Sequence, residues 1–500
     1  MFEAKKDGNF RSKGLLLPPK KIIMTWRIVI LAIYVLMIIA VGVVGMRKTR
    51  SFNDFFLGGG NVGPWMTAFS YGTAYFSAVL FIGFAGQIGW NFGLSGLWIA
   101  FFNSFVGVLG VWLVFGWRIK KMSVDYGVST LSEFLEKRYD SSGFKLLSSI
   151  VIFVFMIPYS AAVFMGLSYL FTTNFNLDYQ YALIFMGLLT AVYLVLGGYK
   201  SMAMIDMIFG VIMVVGVFVL LASTVDKGGG FANISNSLSE IDTGLTGLIG
   251  PPGFWPLFSL IFLTSIAPFA MPQLVQKFYA IRDRRSIKIG MVASTIFAVM
   301  IGGVAYFIGS TTRIFITPDS TPGAFVDGVP LSDRLMPELL TNVIPEPLAI
   351  VILLLILSAS MSTLAALVLI SSSSFSKDFV AGFIKKDISD RSLTRLMRYA
   401  SAFFVFLSVT LAYLNIDSIV AILGVSWGAI GSFFLGPFVW GLFTKKATRL
   451  GGYVSGVAGL FTCLILYFTG TPSPQAGTIG MLVSLALNPI VSWVDGMIAR

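Results

Sequence analysis

Two apolar segments long enough to cross a lipid bilayer are interrupted in corresponding places, and this limits the possible folds more than any other feature. The first, Trp65–Trp90, contains the small and polar run Ser70-Tyr71-Gly72-Thr73-Ala74-Tyr75-Phe76-Ser77. The second, Phe254–Leu274, contains Ala267-Pro268-Phe269-Ala270-Met271-Pro272-Gln273. A hydrocarbon core offers backbone N–H and C=O groups no water, so unwound chain at membrane depth persists only where protein encloses it around a cavity. The expectation is two helices, each broken midway, facing a protein-lined space.

The rest of the chain supplies that enclosure. Of 500 residues, 56% are hydrophobic and 12% charged, against about 25% charged in soluble domains. Thirteen spans are predicted, near 28–46, 64–90, 94–117, 146–171, 177–197, 202–224, 253–275, 289–310, 347–370, 399–415, 418–443, 451–470 and 476–495. The reading is an all-α polytopic membrane protein. A basic segment, residues 1–23, precedes a single transmembrane domain over 24–500, with its core at 64–443. Five spans run from the first broken helix to near Ser223, and five from the second to near Phe443. An odd number reverses orientation, so the halves form a 5+5 inverted repeat. Interrupted spans at matching positions of two such halves mark the binding site of a secondary transporter.

Charge sets the orientation. The net charge of +12 does not point to nucleic acid, because the basic residues follow the membrane topology. Beyond the first span, 25 Lys and Arg residues, Lys277 among them, fall in segments on one side; only Lys227, Arg313 and Arg334 fall on the other. The positive-inside rule then places the N-terminus outside and the C-terminus in the cytoplasm. Residues 1–23 carry six basic residues on the wrong side, and the expectation is that translation starts at Met24. A signal peptide does not fit, since the following apolar run is span-length. Short termini without a targeting signal suit a bacterial inner membrane. The chain has no histidine and one cysteine, Cys463, which excludes His-based triads, His-ligated zinc or haem, and an internal disulfide. With no paired carboxylates in the spans, an enzyme is not expected.

Ser362 and Thr363 place adjacent hydroxyls in an otherwise apolar span, Leu357–Ala366. Each can bond back to its own helix. Together with carbonyls from a broken helix they also suit sodium, which unwound backbone coordinates in secondary transporters. Asp206 is the one acidic residue placed inside the membrane; such residues are functional candidates, although an anion in a first helical turn is favourable in itself. Outside the spans, Ser129–Tyr139 reads as a short amphipathic helix with a capping-box start. Thr311–Pro347 reads as a long outer loop, either vestibule or connector.

The chain resembles the solute:sodium symporter family over roughly Ser51 to Phe443. The motifs are Asp54-Phe55-Phe56-Leu57-Gly58-Gly59-Gly60, Thr130 through Arg138, Gly197-Gly198 followed by Asp206, Ala359-Ser360-Met361-Ser362-Thr363-Leu364, and Ser372 to Asp378. The resemblance implies a LeuT-type fold and a sodium site made by the carbonyls of Thr73, Phe76 and Ala359 with the hydroxyls of Ser362 and Thr363. Asp206 would lie behind that site or on sodium's cytoplasmic exit. Relatives with a second sodium site carry further hydroxyls where this chain has Ala365 and Ala366, and a threonine where it has Ile205, so one coupled sodium ion is expected. Solute-facing positions would be Tyr71, Tyr75, Val79, Leu80, Pro268, Met271, Gln273 and Trp427, with no Arg or Lys among them. They lack the amide and carboxylate side chains that sugar carriers use, and Tyr75 stands where proline carriers keep an aspartate. The implied function is sodium-coupled uptake of a small carboxylate or amino acid by alternating access. A sodium/sugar or sialic acid symporter is the alternative, and a transporter-fold sensor a more distant one. Partners are the solute, sodium and the bilayer; the sequence does not specify oligomeric state.

Overall fold

The computed structural model describes residues 20–48, 51–175 and 177–498; residues 1–19 of the basic segment lie outside the described residues, and the expected start at Met24 falls within the helix Lys20–Lys48. The chain is almost entirely helical, with one small hairpin pairing Phe325–Val326 and Val329–Pro330. Among the described residues, eleven helices are long and apolar enough to cross a membrane. The difference from thirteen expected spans has local causes. Pro64–Tyr75, the first half of the first broken helix, is short. The apolar part of the next expected span, Tyr179–Val192, is also short of membrane length. It runs on into Gly198–Lys227 within one helical stretch, Tyr179–Lys227, kinked at Gly198.

Burial separates centre from periphery. The apolar windows of Ile419–Phe443 and Glu346–Ile384 are 89% and 78% buried, whereas that of Thr25–Gly45 is 22% buried. The two most enclosed helices therefore form the inner wall and the first span faces lipid. Lipid tails are as apolar as leucine, so helices associate here by close packing rather than by escape from water. Gly428 and Gly477 show how close: a methyl group added to either would lie under 3 Å from the other's Cα.

Both breaks are narrower than expected. Pro64–Tyr75 stays helical through Ser70 and Thr73, and only Phe76 and Ser77 leave the helix, with Phe76 extended at φ −110° and ψ 128°. The reason is that hydroxyl residues need not unwind a helix: Thr73 Oγ1 bonds back to the Phe69 carbonyl at 2.7 Å. The second break is a single 3₁₀ turn, Ala267–Phe269, followed by Ala270 and Met271. Pro272 then opens the helix Pro272–Ala280, a position where its missing N–H costs nothing.

The motifs Asp54–Gly60, Thr130–Arg138 and Ser372–Asp378 fold into one face, the one rich in Lys and Arg. Ser51 and Asp54 form a reciprocal capping box that starts Phe52–Leu57, and Gly58, in the left-handed region at φ 61°, ends it. This strap lies against Gly198, where a Cβ would meet the Phe55 ring at 3.0 Å. The amphipathic helix is present as Leu131–Tyr139, capped by Thr130 with Glu133. Thr130 Oγ1 donates to Asp378 Oδ1 at 2.8 Å, and Lys377 pairs with Glu133 at 2.7 Å, so two motifs 248 residues apart close on each other. Burial works to raise the Glu133 carboxyl, but Lys377 and the amide of Ser129 hold it below the ordinary carboxylate range. Asp378 is also buried within the protein, on this face beside Thr130. The expected outer loop contains, besides the hairpin, the helices Thr312–Phe315 and Ser332–Val343; Asp333 of the latter accepts the Ile419 N–H at 3.0 Å.

Arg138 ties this face to the inner wall. Its Nε and Nη2 donate to the carbonyls of Gly441 and Thr444 at 2.8 and 2.6 Å, closing the end of Ile419–Phe443. Arg138→Ala is expected to cost about 1–3 kcal/mol, read as a lower Tm of the purified protein. Arg138→Lys should recover only part of it, because an ammonium lacks the planar fork.

Candidate functional site

The two breaks, the helix Ala349–Ser373 and the stretch Tyr179–Lys227 meet around one buried polar centre. Ala349–Ser373 packs along Pro64–Tyr75 and Tyr179–Lys227, and Pro272–Ala280 packs on Pro64–Tyr75. Ser360, Ser362 and Thr363 are completely buried. Ser360 Oγ donates to its own helix at Ile356 and accepts the N–H of Ala78 at 2.8 Å. That N–H is one freed by the first break, so a hydroxyl from another helix completes it.

Thr363 sits where the carbonyls converge. Its Oγ1 lies 3.1 Å from Ala359 O, 3.2 Å from Ala74 O, 3.4 Å from Thr73 O and 3.5 Å from Phe76 O. Ser362 Oγ lies 2.8 Å from Thr73 Oγ1. All five residues expected at the cation site are thus brought together, and the Ala74 carbonyl and Thr73 hydroxyl join them. The bond from Thr363 to Ala359 is the ordinary back-bond of a helical threonine, yet a hydroxyl has one proton and four carbonyls surround it. Thr73 and Ala74 lie in the last turn before the break, where carbonyls have no intrahelical donor. The centre therefore holds more acceptors than protons, an arrangement that suits a small cation.

Asp206 is fully buried beside this centre. Ser70 Oγ donates to its Oδ2 at 2.5 Å, while Oδ1 has no protein partner. Lys277 Nζ in turn donates to Ser70 Oγ at 2.8 Å and stands 5.1 Å from the ring centre of Tyr199. Lys277 was expected in a cytoplasmic loop. It is instead completely buried, because the helix opened by Pro272 carries the chain on to Ala280. Proline at a first helical position was the signal that would have placed it there.

The expected solute-facing residues are all buried, and they divide into two groups. Tyr71, Tyr75 and Trp427 form a continuous aromatic wall: Tyr71 and Tyr75 are 6.4 Å apart between ring centres, and Tyr75 and Trp427 are 6.3 Å apart. Trp112 and Phe278 extend it around Tyr71, and Tyr159 around Trp427. Val79 and Leu80 follow the first break, and Pro268 lies in the second; both segments pack on Ile419–Phe443, the helix bearing Trp427. Met271 and Gln273 flank the start of Pro272–Ala280. Tyr75 Oη donates to the Thr264 carbonyl at 2.6 Å. Sequence reasoning did not single out Asn103, whose Oδ1 accepts both Thr264 Oγ1 and Ser265 Oγ at 2.8 Å beside that contact. Tyr71 Oη, Trp427 Nε1 and Gln273 Oε1 have no protein partner.

Comparison with known proteins is decisive at this point. Residues 55–459 match the Sodium:solute symporter family. The chain belongs to that family. The osmoregulated proline transporter OpuE of Bacillus subtilis (strain 168) is 25% identical over 491 residues, covering 95% of each chain. The sodium/pantothenate symporter of Haemophilus influenzae is 25% identical over 463 residues, covering 89% of this chain and 92% of its own. In three dimensions the chain superposes on a Na+-coupled sialic acid symporter in a substrate-bound outward-open state. The TM-score is 0.78 at 18% identity, over 94% of this chain and 97% of that one. The fold is the LeuT type, and the protein is a sodium-coupled solute symporter of many membrane spans.

The Ser360 contact generates a stability test. Ser360→Ala orphans the buried Ala78 N–H, with an expected cost of about 1–3 kcal/mol. A thermal-unfolding series should show the loss in the alanine variant and its recovery in Ser360→Thr.

Proposed function

We propose that this symporter couples one sodium ion to the inward movement of a small carboxylate-bearing solute, a monocarboxylate or amino acid, across a bacterial cytoplasmic membrane. The observation that carries the reading is the acceptor-rich centre at Thr363. Sodium would be held by the carbonyls of Thr73, Phe76 and Ala359 and the hydroxyls of Ser362 and Thr363. The Ala74 carbonyl is close enough to share in it. Ala365 and Ala366 continue the helix without further oxygens, which supports a single ion.

For the solute, the unpartnered groups matter most. Trp427 Nε1 is a donor only, and Tyr71 Oη is a second donor without a protein partner. Donors set in an aromatic wall favour a ligand rich in acceptors and partly apolar. The Gln273 N–H, the one amide of the first turn of Pro272–Ala280 without a backbone acceptor, adds a third donor, as half-helix ends do for carboxylates in this architecture. Proline and pantothenate, named for the relatives, are both carboxylates. A sugar would bring several hydroxyls to a wall with few polar partners, and each one left unmatched costs free energy.

Alternating access follows from where the ligands sit. The cation site joins the first broken helix to Ala349–Ser373, and the aromatic wall joins it to Ile419–Phe443. Filling both would draw the three helices together. The basic face is closed in this structure by main-chain pairing of Val62 with Ala280 and Arg282 at 3.0 and 3.2 Å. With the N-terminus outside, this face is the cytoplasmic one.

Reconstituted proteoliposomes test the reading. Pantothenate, lactate, acetate, proline, glucose and sialic acid are offered with an inward sodium gradient, or with potassium in its place. Sodium-dependent accumulation of a carboxylate other than sialic acid is expected; accumulation of glucose alone would refute the solute assignment. Ser362→Ala and Thr363→Ala should each raise the sodium concentration for half-maximal uptake by about tenfold, on the scale of one lost charged hydrogen bond. Unchanged sodium activation in both would remove the site. Uptake should rise hyperbolically with sodium; a sigmoidal curve would point to a second coupled ion.

A further inference from the structure

Neither sodium coordination nor the aromatic wall accounts for Lys277. It is completely buried, and a single hydroxyl, that of Ser70, stands between its ammonium and the Asp206 carboxylate. Unpaired charge at such depth is costly, so the two groups answer one another. The carboxylate still has capacity, because Asp206 Oδ1 has no protein partner. Ser70 lies one turn before Thr73 on the same helix. The lysine and the cation site are therefore neighbours that face one negative charge.

The elements differ in what holds them. Asp206 is on Tyr179–Lys227 and the hydroxyls are on Ala349–Ser373, two helices packed along each other. Lys277 is on Pro272–Ala280, which the second break uncouples from the outer half of its own span. Its other hydrogen bonds run to the basic face, Gln276 Nε2 to the Phe56 carbonyl at 2.9 Å, Lys120 Nζ to the Tyr279 carbonyl at 3.1 Å, and the Val62 pairing, while Phe278 packs on the rings of Tyr71 and Trp112. A movement of that short helix would carry the ammonium away from the carboxylate.

We propose that Lys277 is a tethered counter-cation that occupies Asp206 and competes with the transported sodium for it. The proposal deepens the sodium-site reading above and rests on it. While Lys277 is seated, the charge of Asp206 is answered, and sodium moving toward it meets a like charge. The ion stays among the carbonyls, bound less tightly than it would be without the lysine, because two cations facing one carboxylate repel each other. When Pro272–Ala280 withdraws, Asp206 is uncovered and becomes the next stop on the way out. Lys277 is a positioning residue: it acts on sodium through Asp206 and is not a ligand.

Equilibrium binding of radiolabelled sodium to the purified full chain tests this. Lys277→Met is expected to bind sodium about tenfold more tightly, the effect of removing one nearby charge at modest screening. Lys277→Arg should keep the wild-type affinity, and Asp206→Asn added to Lys277→Met should abolish the gain. A merely structural lysine would not give tighter binding on removal. Ser362→Ala and Thr363→Ala, measured alongside, should each bind sodium about tenfold more weakly. Unchanged or weaker binding in Lys277→Met, beside weakened binding in either hydroxyl variant, overturns the tethered cation and leaves the sodium site standing. Normal binding in both hydroxyl variants overturns the site and the proposal together. If Lys277→Met does not fold, Lys277→Gln carries the same expectation, since its amide can still donate to Ser70.

Discussion

A hydrocarbon core supplies no hydrogen bonds, and the centre of this protein is arranged around that fact. Breaking a helix at membrane depth frees N–H and C=O groups that water cannot reach. Here the partners come from other helices. Ser360 takes the Ala78 N–H, Tyr75 takes the Thr264 carbonyl, and Thr363 stands among the carbonyls of Thr73, Ala74 and Phe76. The donors balance the acceptors at the first two places but not at the third. The surplus of carbonyl oxygen around Thr363 is what a transported cation would complete.

The same constraint explains why this region uses hydroxyls so freely and charges so sparingly. A serine or threonine can turn its one proton toward a helix carbonyl when nothing else is near, as Thr73 does toward Phe69, and remain available as an acceptor. An ionised group cannot retire in this way. The charged pair at the centre is accordingly joined through Ser70 and leans on the Tyr199 ring. Buried ion pairs add little stability over apolar packing of the same volume, and their best-attested use is to specify one arrangement among several. An ammonium and a carboxylate carried on separate helices, Pro272–Ala280 and Tyr179–Lys227, fit that use.

Much of this was legible in the sequence because membrane burial simplifies the code. Composition and loop charge indicated many spans, and an odd count between the two interruptions indicated inverted halves. The residues converging on Thr363 followed from motif position. The extent of the breaks was not legible: Ser70 and Thr73 look like helix breakers in a polar run, yet Thr73 bonds back to Phe69 and Ser70 gives its proton to Asp206, both stay helical, and the chain leaves the helix only where Ser360 awaits it. Lys277 was misplaced because a charged residue after an apolar run reads as the end of a span. The structure continues the helix past it, and a carboxylate from a distant part of the sequence makes that possible. Asn103 could not be found either, since an isolated amide in an apolar stretch has no pattern until Thr264 and Ser265 are folded against it.

The closure of the basic face sets the scale of the conformational change. Four hydrogen bonds hold Pro272–Ala280 and its following residues to the rest of this face: two between Val62 and the Ala280–Arg282 segment, one from Gln276 to Phe56, and one from Lys120 to Tyr279. Exchanged for bonds to water, such contacts are each worth about 1 kcal/mol. Together these polar contacts come to about 4 kcal/mol, within reach of the differential binding energy of about 5.5 kcal/mol that moves an equilibrium from 1:99 to 99:1. A closure much stronger than this would hold the inner side shut regardless of what was bound. A much weaker one would open without solute and let sodium through alone. The polar contacts of the short helix are therefore on a scale that binding beside the second break, at Met271 and Gln273, can overcome, while Lys277 further along the helix answers the carboxylate through Ser70.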